Sequence, residues 1–233
     1  MDAEKRQVTE EAVRDWLDKL KDVSYDADDV LDEWITRILV SNLEQDKKEK
    51  TTSFVDLSKV YGRDEEKKVL IRKLLSKNSS QDGRNFDIIP IVGMSGIGKI
   101  ALAQLAFNDA EVQAYFDKTI WICVSEPFDE VVIAKAIIES LERRTSDKVE
   151  IQSLLLDIEH SIKDRRFLLV LDDVWTKDDR KWESIERVLA NGAVGSRILV
   201  TTQKEEVVKM MRAETDKITV EFLSEEFCWD MLR

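Results

Sequence analysis

From about Glu10 to Leu43 the apolar positions Val13, Leu17, Leu20, Val23, Ala27, Val30, Leu31, Trp34, Ile35 and Ile38 recur at helical spacing. That pattern predicts a long helical segment with one continuous apolar face. Thr9 ahead of Glu10 and Glu11 supplies an N-cap and an acidic first turn that suits the helix dipole. Such a helix cannot bury its stripe alone and must pack on another helix, on the main domain or on a partner. Asp26, Asp28, Asp29, Asp32 and Glu33 lie on its other side, as a solvated face or a docking surface for basic residues. Between Glu44 and Ser58 the pattern gives way to Gln, Lys, Glu, Thr and Ser, which reads as a linker.

Past the linker, a helix is predicted from about Asp64 to Leu75, then a polar turn from Lys77 to Asn85, then an apolar strand ending at Val92. Further apolar runs, Thr119 to Val124, Phe167 to Leu171, Arg197 to Thr202 and Ile218 to Phe222, alternate with helical patterns. Those helices are about Ala101 to Asn108, Glu130 to Glu142, Ile151 to Lys163 and Trp182 to Leu189. Strands rich in Ile, Val and Leu without polar alternation suit burial on both faces, and their alternation with helices implies a parallel sheet with right-handed crossovers. The predicted fold class is α/β, a doubly wound parallel sheet of the P-loop NTPase type preceded by a partial helical segment. The organisation expected is residues 1–43 helical, 44–58 linker and 59–233 nucleotide-binding.

Three of the seven glycines fall in Gly93-Met94-Ser95-Gly96-Ile97-Gly98-Lys99-Ile100-Ala101, between the first strand and the helix after it. A Gly-x-x-x-x-Gly-Lys turn in that setting brings backbone N–H groups and an ammonium to where polyphosphate oxygens lie. Lys99 is expected to reach a β-phosphate, with the amides from Gly96 to Ala101 wrapped around it. The next residue in such loops is a Ser or Thr whose hydroxyl holds Mg²⁺; here it is Ile100. A second motif, Phe167-Leu168-Leu169-Val170-Leu171-Asp172-Asp173, is a strand ending in two acids. Asp172 is the candidate metal-side carboxylate and Asp173 the candidate group to polarise a water. In isolation, Arg197 to Gln203 reads only as strand then loop.

Composition narrows the field. A formal net charge of -12 spread along the chain argues against non-specific nucleic-acid binding, which needs a basic face. Two lone cysteines, Cys123 and Cys228, suggest a reducing compartment. No apolar stretch approaches the ~18 residues of a membrane helix and the amino end carries no leader pattern, so a cytoplasmic location and no transmembrane segment are expected. His160 reads as a plain helix residue, and Trp121, Trp175, Trp182 and Trp229 as core or helix-packing anchors.

The ordered series of motifs resembles the coiled-coil class of plant nucleotide-binding, leucine-rich-repeat disease-resistance proteins and their NB-ARC module. Ala12-Val13-Arg14-Asp15-Trp16-Leu17 and the acidic run Tyr25 to Glu33 look like the end of that family's helical domain. Val60-Tyr61-Gly62-Arg63 is similar to the family's motif near the adenine, which implies Val60, Gly62 and Arg63 as nucleotide contacts. Trp121 to Ser125, the Leu-Asp-Asp-Val-Trp strand, Gly195 to Thr202, and Leu223 to Trp229 match its successive blocks. The resemblance implies a switch held off with ADP and turned on by ATP, acting by self-association or with other immune-receptor proteins. The chain departs from the family at Ile100 and at Gln203, which stands where an arginine reading the γ-phosphate is usual. It also lacks the later helical, winged-helix and repeat segments, and looks truncated at both ends.

Both substitutions fall on the Mg²⁺ and γ-phosphate side. An arginine's charge-assisted contact contributes about 1.5–3 kcal/mol where it is made. Mg²⁺ is held by few protein ligands, so one lost hydroxyl is a large share of the protein's grip. The expectation is a domain binding ADP or ATP, biased to ADP, with Mg²⁺ weak or absent and little hydrolysis. A working ATPase and a non-binding interaction module are the alternatives.

Overall fold

The computed structural model describes residues 51–54, 60, 62–76, 84–124, 127–143, 145, 147–176 and 178–223. The chain divides into two compact units, Met1–Glu49 and Lys50–Arg233, and every described residue belongs to the second. The predicted helix from Glu10 to Leu43 and Trp229 lie outside the described residues.

Helix α1 (Asp64–Leu74) is followed by β1 (Phe86–Val92), α2 (Lys99–Phe107), α3 (Ala110–Tyr115), β2 (Lys118–Cys123), α4 (Glu130–Glu142) and α5 (Ile151–Ile162). Then come β3 (Phe167–Asp172), α6 (Asp179–Leu189), β4 (Ser196–Thr202), α7 (Glu205–Met210), a 3₁₀ turn (Glu214–Asp216) and β5 (Ile218–Thr219). The five strands form one sheet in the order β2-β3-β4-β1-β5, with every pairing parallel. Steps β2 to β3 to β4 run one way across the sheet, whereas β1 to β2 runs back. Right-handed crossovers must therefore place α2 and α3 on one face and α4, α5 and α6 on the other.

The core divides that way. Phe167, Leu169 and Leu171 pack with Ile137, Ile158 and Trp182 of α4 to α6, while Leu168 and Val170 pack with Leu102 and Ala106 of α2 and Leu70 of α1. All six residues of β3 are buried, which is why its sequence shows no polar alternation. Ligands of doubly wound sheets bind beyond the carboxyl ends of the strands, where the order reverses. Here β1 carries its glycine-rich loop at that point.

Differences from the predicted elements have local causes. Helix α2 begins at Lys99, two residues earlier than its apolar pattern, because Gly98 at φ 100° turns the chain directly into the helix. Helix α6 begins at Asp179 with the Asp178 carboxylate accepting from the Arg180 N–H, ahead of the first apolar residue of its stripe. At six residues each, α3 and α7 are too short to show a period. Strand β5 pairs with β1 only at Ile91 and Val92, and Phe222 at its predicted end is exposed. At the amino ends of the strands, the buried Arg197 guanidinium ion-pairs with Asp87 at 3.0 Å and donates to the Ser76 carbonyl at 2.6 Å. That contact ties the end of α1 to β1 and β4.

Candidate functional site

The loop between β1 and α2 is shaped by glycine where it must be. A Cβ on Gly93 would stand 2.9 Å from the Val220 carbonyl oxygen, so the chain leaving β5 needs this residue bare. Gly96 and Gly98 have φ of +71° and +100°, the left-handed region that favours glycine, and nothing lies within 4 Å of where a Gly96 Cβ would be. Gly98 is the N-cap of α2 without a side-chain hydrogen bond, and the first turn carries no acid. By contrast α1 opens on Asp64, Glu65 and Glu66. The start of α2 thus carries neither a capping side chain nor an acid of its own, which leaves its N–H groups and the positive end of its dipole toward the loop. This cradle fits a diphosphate.

Lys99 is only 7% exposed, and its ammonium donates to the carbonyls of Gly93 at 2.9 Å and Met94 at 2.7 Å. Burial lowers its pKa, while Asp173 and then Asp172 oppose that shift. The lysine and the two acids therefore share one electrostatic environment, as the two motifs predict.

Asp172, the last residue of β3, is fully buried. Burial raises its pKa, against hydrogen bonds from Thr201 and Thr51 and the charge of Lys99. The Thr201 hydroxyl donates to its Oδ1 and the Thr51 hydroxyl to its Oδ2. In register Leu171 lies beside Val200, which sets Asp172 beside Thr201. Thr201 also accepts from the Asp173 N–H at 2.8 Å, and the Thr202 hydroxyl donates to the Val174 carbonyl at 2.7 Å. The end of β4, unremarkable in sequence, is thus the frame that sets both acids. Its signal was the Thr201-Thr202 pair at the same level of a parallel sheet as Asp172-Asp173.

Asp173 has φ 59°, and its carboxylate accepts from the Trp175 indole N–H at 2.6 Å. The Lys204 ammonium lies 4.4 Å from the Trp175 ring centroid. Trp175, expected as a packing anchor, is instead half-buried and bonded to the second acid. Val174, between the acid pair and the indole, enters the core, and Trp175 on the next position turns back to Asp173. Trp121 and Trp182 do serve packing, with Trp121 edge-to-face on Phe107 at 5.4 Å and Trp182 buried in the α4–α6 layer. His160 is exposed on α5.

Arg63 is 5% exposed and joins three segments. It ion-pairs with Glu66 at 2.7 Å and donates to the carbonyls of Ile97 at 2.8 Å and Glu221 at 2.9 Å. With Gly62 at φ 67° just ahead of it, Arg63 abuts the glycine loop. Gln203 is the first residue beyond β4, at the same edge.

Toward Mg²⁺ the residues present are a mismatch at one position: Ile100 offers no lone pair, and each Asp172 oxygen already accepts a hydroxyl.

Residues 63–233 match the NB-ARC domain and residues 1–75 the Rx N-terminal domain. The chain belongs to the NB-ARC family. NB-ARC is a nucleotide-binding P-loop module, and this chain is similar to plant proteins that carry it. It is 33% identical to disease resistance protein RGA2 of Solanum bulbocastanum, over 98% of this chain and 28% of that protein. To disease resistance RPP13-like protein 4 of Arabidopsis thaliana it is 36% identical, over 75% of this chain and 20% of that protein. The NB-ARC chain thus spans less than a third of the curated relatives it matches. Among solved structures, Cdc6p of Pyrobaculum aerophilum shares the fold at TM-score 0.58 and 16% identity, over 78% of this chain and 51% of that one. ORC1 of Aeropyrum pernix, solved in complex with DNA, shares it at TM-score 0.54 and 17% identity, over 74% of this chain and 48% of that one. Among the described residues no helix is long and apolar enough to cross a membrane.

Proposed function

We propose that this NB-ARC chain is the nucleotide-binding part of a plant disease-resistance switch, biased to ADP, with weak Mg²⁺ binding and little ATP hydrolysis. The observation that carries the reading is the contrast between its two halves. The diphosphate side is complete, with Gly96 and Gly98 in left-handed conformation and an uncapped, acid-free start to α2 under Lys99. On the metal side, Ile100 has no hydroxyl and Asp172 is taken up by Thr51 and Thr201.

In this reading Lys99 and the amides of the loop from Gly93 through Met94, Ser95, Gly96, Ile97, Gly98 and Ile100 to Ala101 hold the diphosphate. Val60, Gly62 and Arg63 border the adenine. Asp172 is the residual metal-side carboxylate, and Asp173, held by Trp175, does not drive hydrolysis. The working partners are an adenine nucleotide and other copies or other immune-receptor proteins in the cytoplasm. Nucleic acid is not among them, because net charge -12 repels a phosphate backbone.

Calorimetric titration of the full chain tests this. ADP should bind with an affinity that Mg²⁺ changes less than about twofold, and ATP should gain no more; each tenfold would be about 1.4 kcal/mol. ATP bound more than about tenfold tighter with Mg²⁺ than without would refute the ADP bias. Sustained phosphate release by the wild-type chain would favour the working ATPase.

A further inference from the structure

The polar segment ahead of the nucleotide-binding unit is attached to the site at three successive residues. The Thr51 hydroxyl donates to Asp172 Oδ2. One residue on, the Thr52 carbonyl accepts from the Gln104 side chain at 2.6 Å, and then the Ser53 carbonyl accepts from the Asn108 side chain at 2.5 Å. Ile100, Gln104 and Asn108 are spaced four apart from the first turn of α2 to its C-cap, which puts them on one side of the helix. Residues 51–53 therefore run along that side, and at its loop end, beside Ile100, they present a hydroxyl to the buried acid.

We propose that residues 51–53 form a strap that withholds Asp172 from a metal ion, with Thr51 as its clasp. The proposal rests on the nucleotide reading above and assigns the metal side of that site its regulation. A compact Mg²⁺ shell demands near-octahedral oxygens at about 2.0–2.1 Å. Each carboxylate oxygen has two lone pairs, and the Thr51 hydroxyl takes one on Oδ2, so an ion must compete with it there and finds an isoleucine where the loop's own ligand would be. Nothing in the strap obstructs the diphosphate cradle at Gly96 and Gly98, so ADP without metal is the ligand compatible with a docked strap. The strap lies directly after the boundary between the two units at Glu49 and Lys50. Thr51 is a positioning residue in this scheme, acting through Asp172.

The test uses the full chain as wild type, Thr51→Val and Thr51→Ser, with two readouts. The first is the ratio of ADP affinities with Mg²⁺ and with a chelator, by calorimetry. The ratio should stay near one in the wild type and in Thr51→Ser, and rise about tenfold in Thr51→Val, which frees Asp172. The second is trypsin cleavage after Lys50, followed by mass spectrometry of the fragment that begins at Thr51. A protease must draw residues 51–53 into its own cleft, so cleavage should be several-fold faster in Thr51→Val than in the other two proteins.

Equal cleavage in all three, or a Mg²⁺ ratio that does not move while ADP still binds, overturns the strap alone. A ratio well above one in the wild type that falls in Thr51→Val would make Thr51 a metal ligand, and also overturns it. Failure of every protein to bind ADP would remove the nucleotide reading and this proposal with it.

Discussion

Replacing Arg63 by methionine should destabilise the nucleotide-binding unit more than any other single change at the edge of its site. The apolar stem is kept, so little cavity is created, and what is lost is the guanidinium. Two part-buried carbonyls, Ile97 and Glu221, lose a charged donor. Hydrogen bonds to charged groups contribute about 1.5–3 kcal/mol each, which bounds the pair at about 3–6 kcal/mol. The ion pair with Glu66 adds little, since the Glu66 side chain is 31% exposed and solvent screens it. Because water can reach both carbonyls once the side chain is cut back, the lower end, about 3 kcal/mol, is the expected loss. That is a large share of a typical domain stability of about 5–15 kcal/mol.

Urea unfolding followed by tryptophan fluorescence would read this as a midpoint shift of about 1 M or more, at a slope of about 1–3 kcal/mol per molar. Arg63→Lys keeps the charge but replaces a planar fork by a point, and should recover less than half of the loss. ADP affinity should fall in parallel, because the Ile97 peptide lies inside the glycine loop and loses the bond that pins it. A loss of less than about 0.5 kcal/mol for Arg63→Met, the scale of an ordinary surface change, would refute the view that this residue clamps the loop.

Asp172→Asn should change the pH dependence of stability. Burial raises the Asp172 pKa, so between the unfolded value of about 3.9 and the raised folded value the native state binds more protons than the unfolded one. Stability from this group is therefore present at low pH and lost as pH rises through the folded pKa. Denaturation curves should show the variant and the wild type alike near pH 4, with the variant the more stable at pH 8. An advantage that is largest at acid pH would contradict the sign. Two glycines separate strain from crowding: Gly96→Ala faces open space at φ +71° and should cost about 1–2 kcal/mol while sharply weakening ADP binding. Gly192→Ala would set a Cβ 2.5 Å from the Phe167 ring, and should cost about 1–3 kcal/mol in urea unfolding with calorimetric ADP affinity unchanged.

The parallel sheet was legible because its signal is composition over several residues. Phe167 to Leu171 carries no polar position, and only a strand covered on both faces by helices can use such a run. The glycine loop was legible for a related reason, since left-handed backbone at Gly96 and Gly98 restricts the residue type itself. What the sequence did not display were bonds between residues far apart in the chain. Nothing within Ser196 to Thr202 says that Thr201 will hold Asp172; that follows only once β3 and β4 are neighbours in the stated register. Trp175 gave an apolar reading because an indole is mostly hydrocarbon, yet its one N–H decides its place here.

Residues 51–53 read as linker for the same cause. A strap held by a hydroxyl and two carbonyls has no apolar period to show, and its attachment is written on the partner surface. Gln104 and Asn108 are polar residues on a helix whose other positions are largely apolar, and their four-residue spacing continues the line begun by Ile100. A helix packed against a sheet keeps polar side chains only on the side turned away from the core. Residues 52 and 53 are bonded along that side, and Thr51 ahead of them reaches the carboxyl end of β3. There its hydroxyl meets Asp172, the one fully buried carboxylate among the described residues. A fully buried carboxylate needs hydrogen-bond donors to remain charged, and those here are the hydroxyls of Thr201 on Oδ1 and Thr51 on Oδ2.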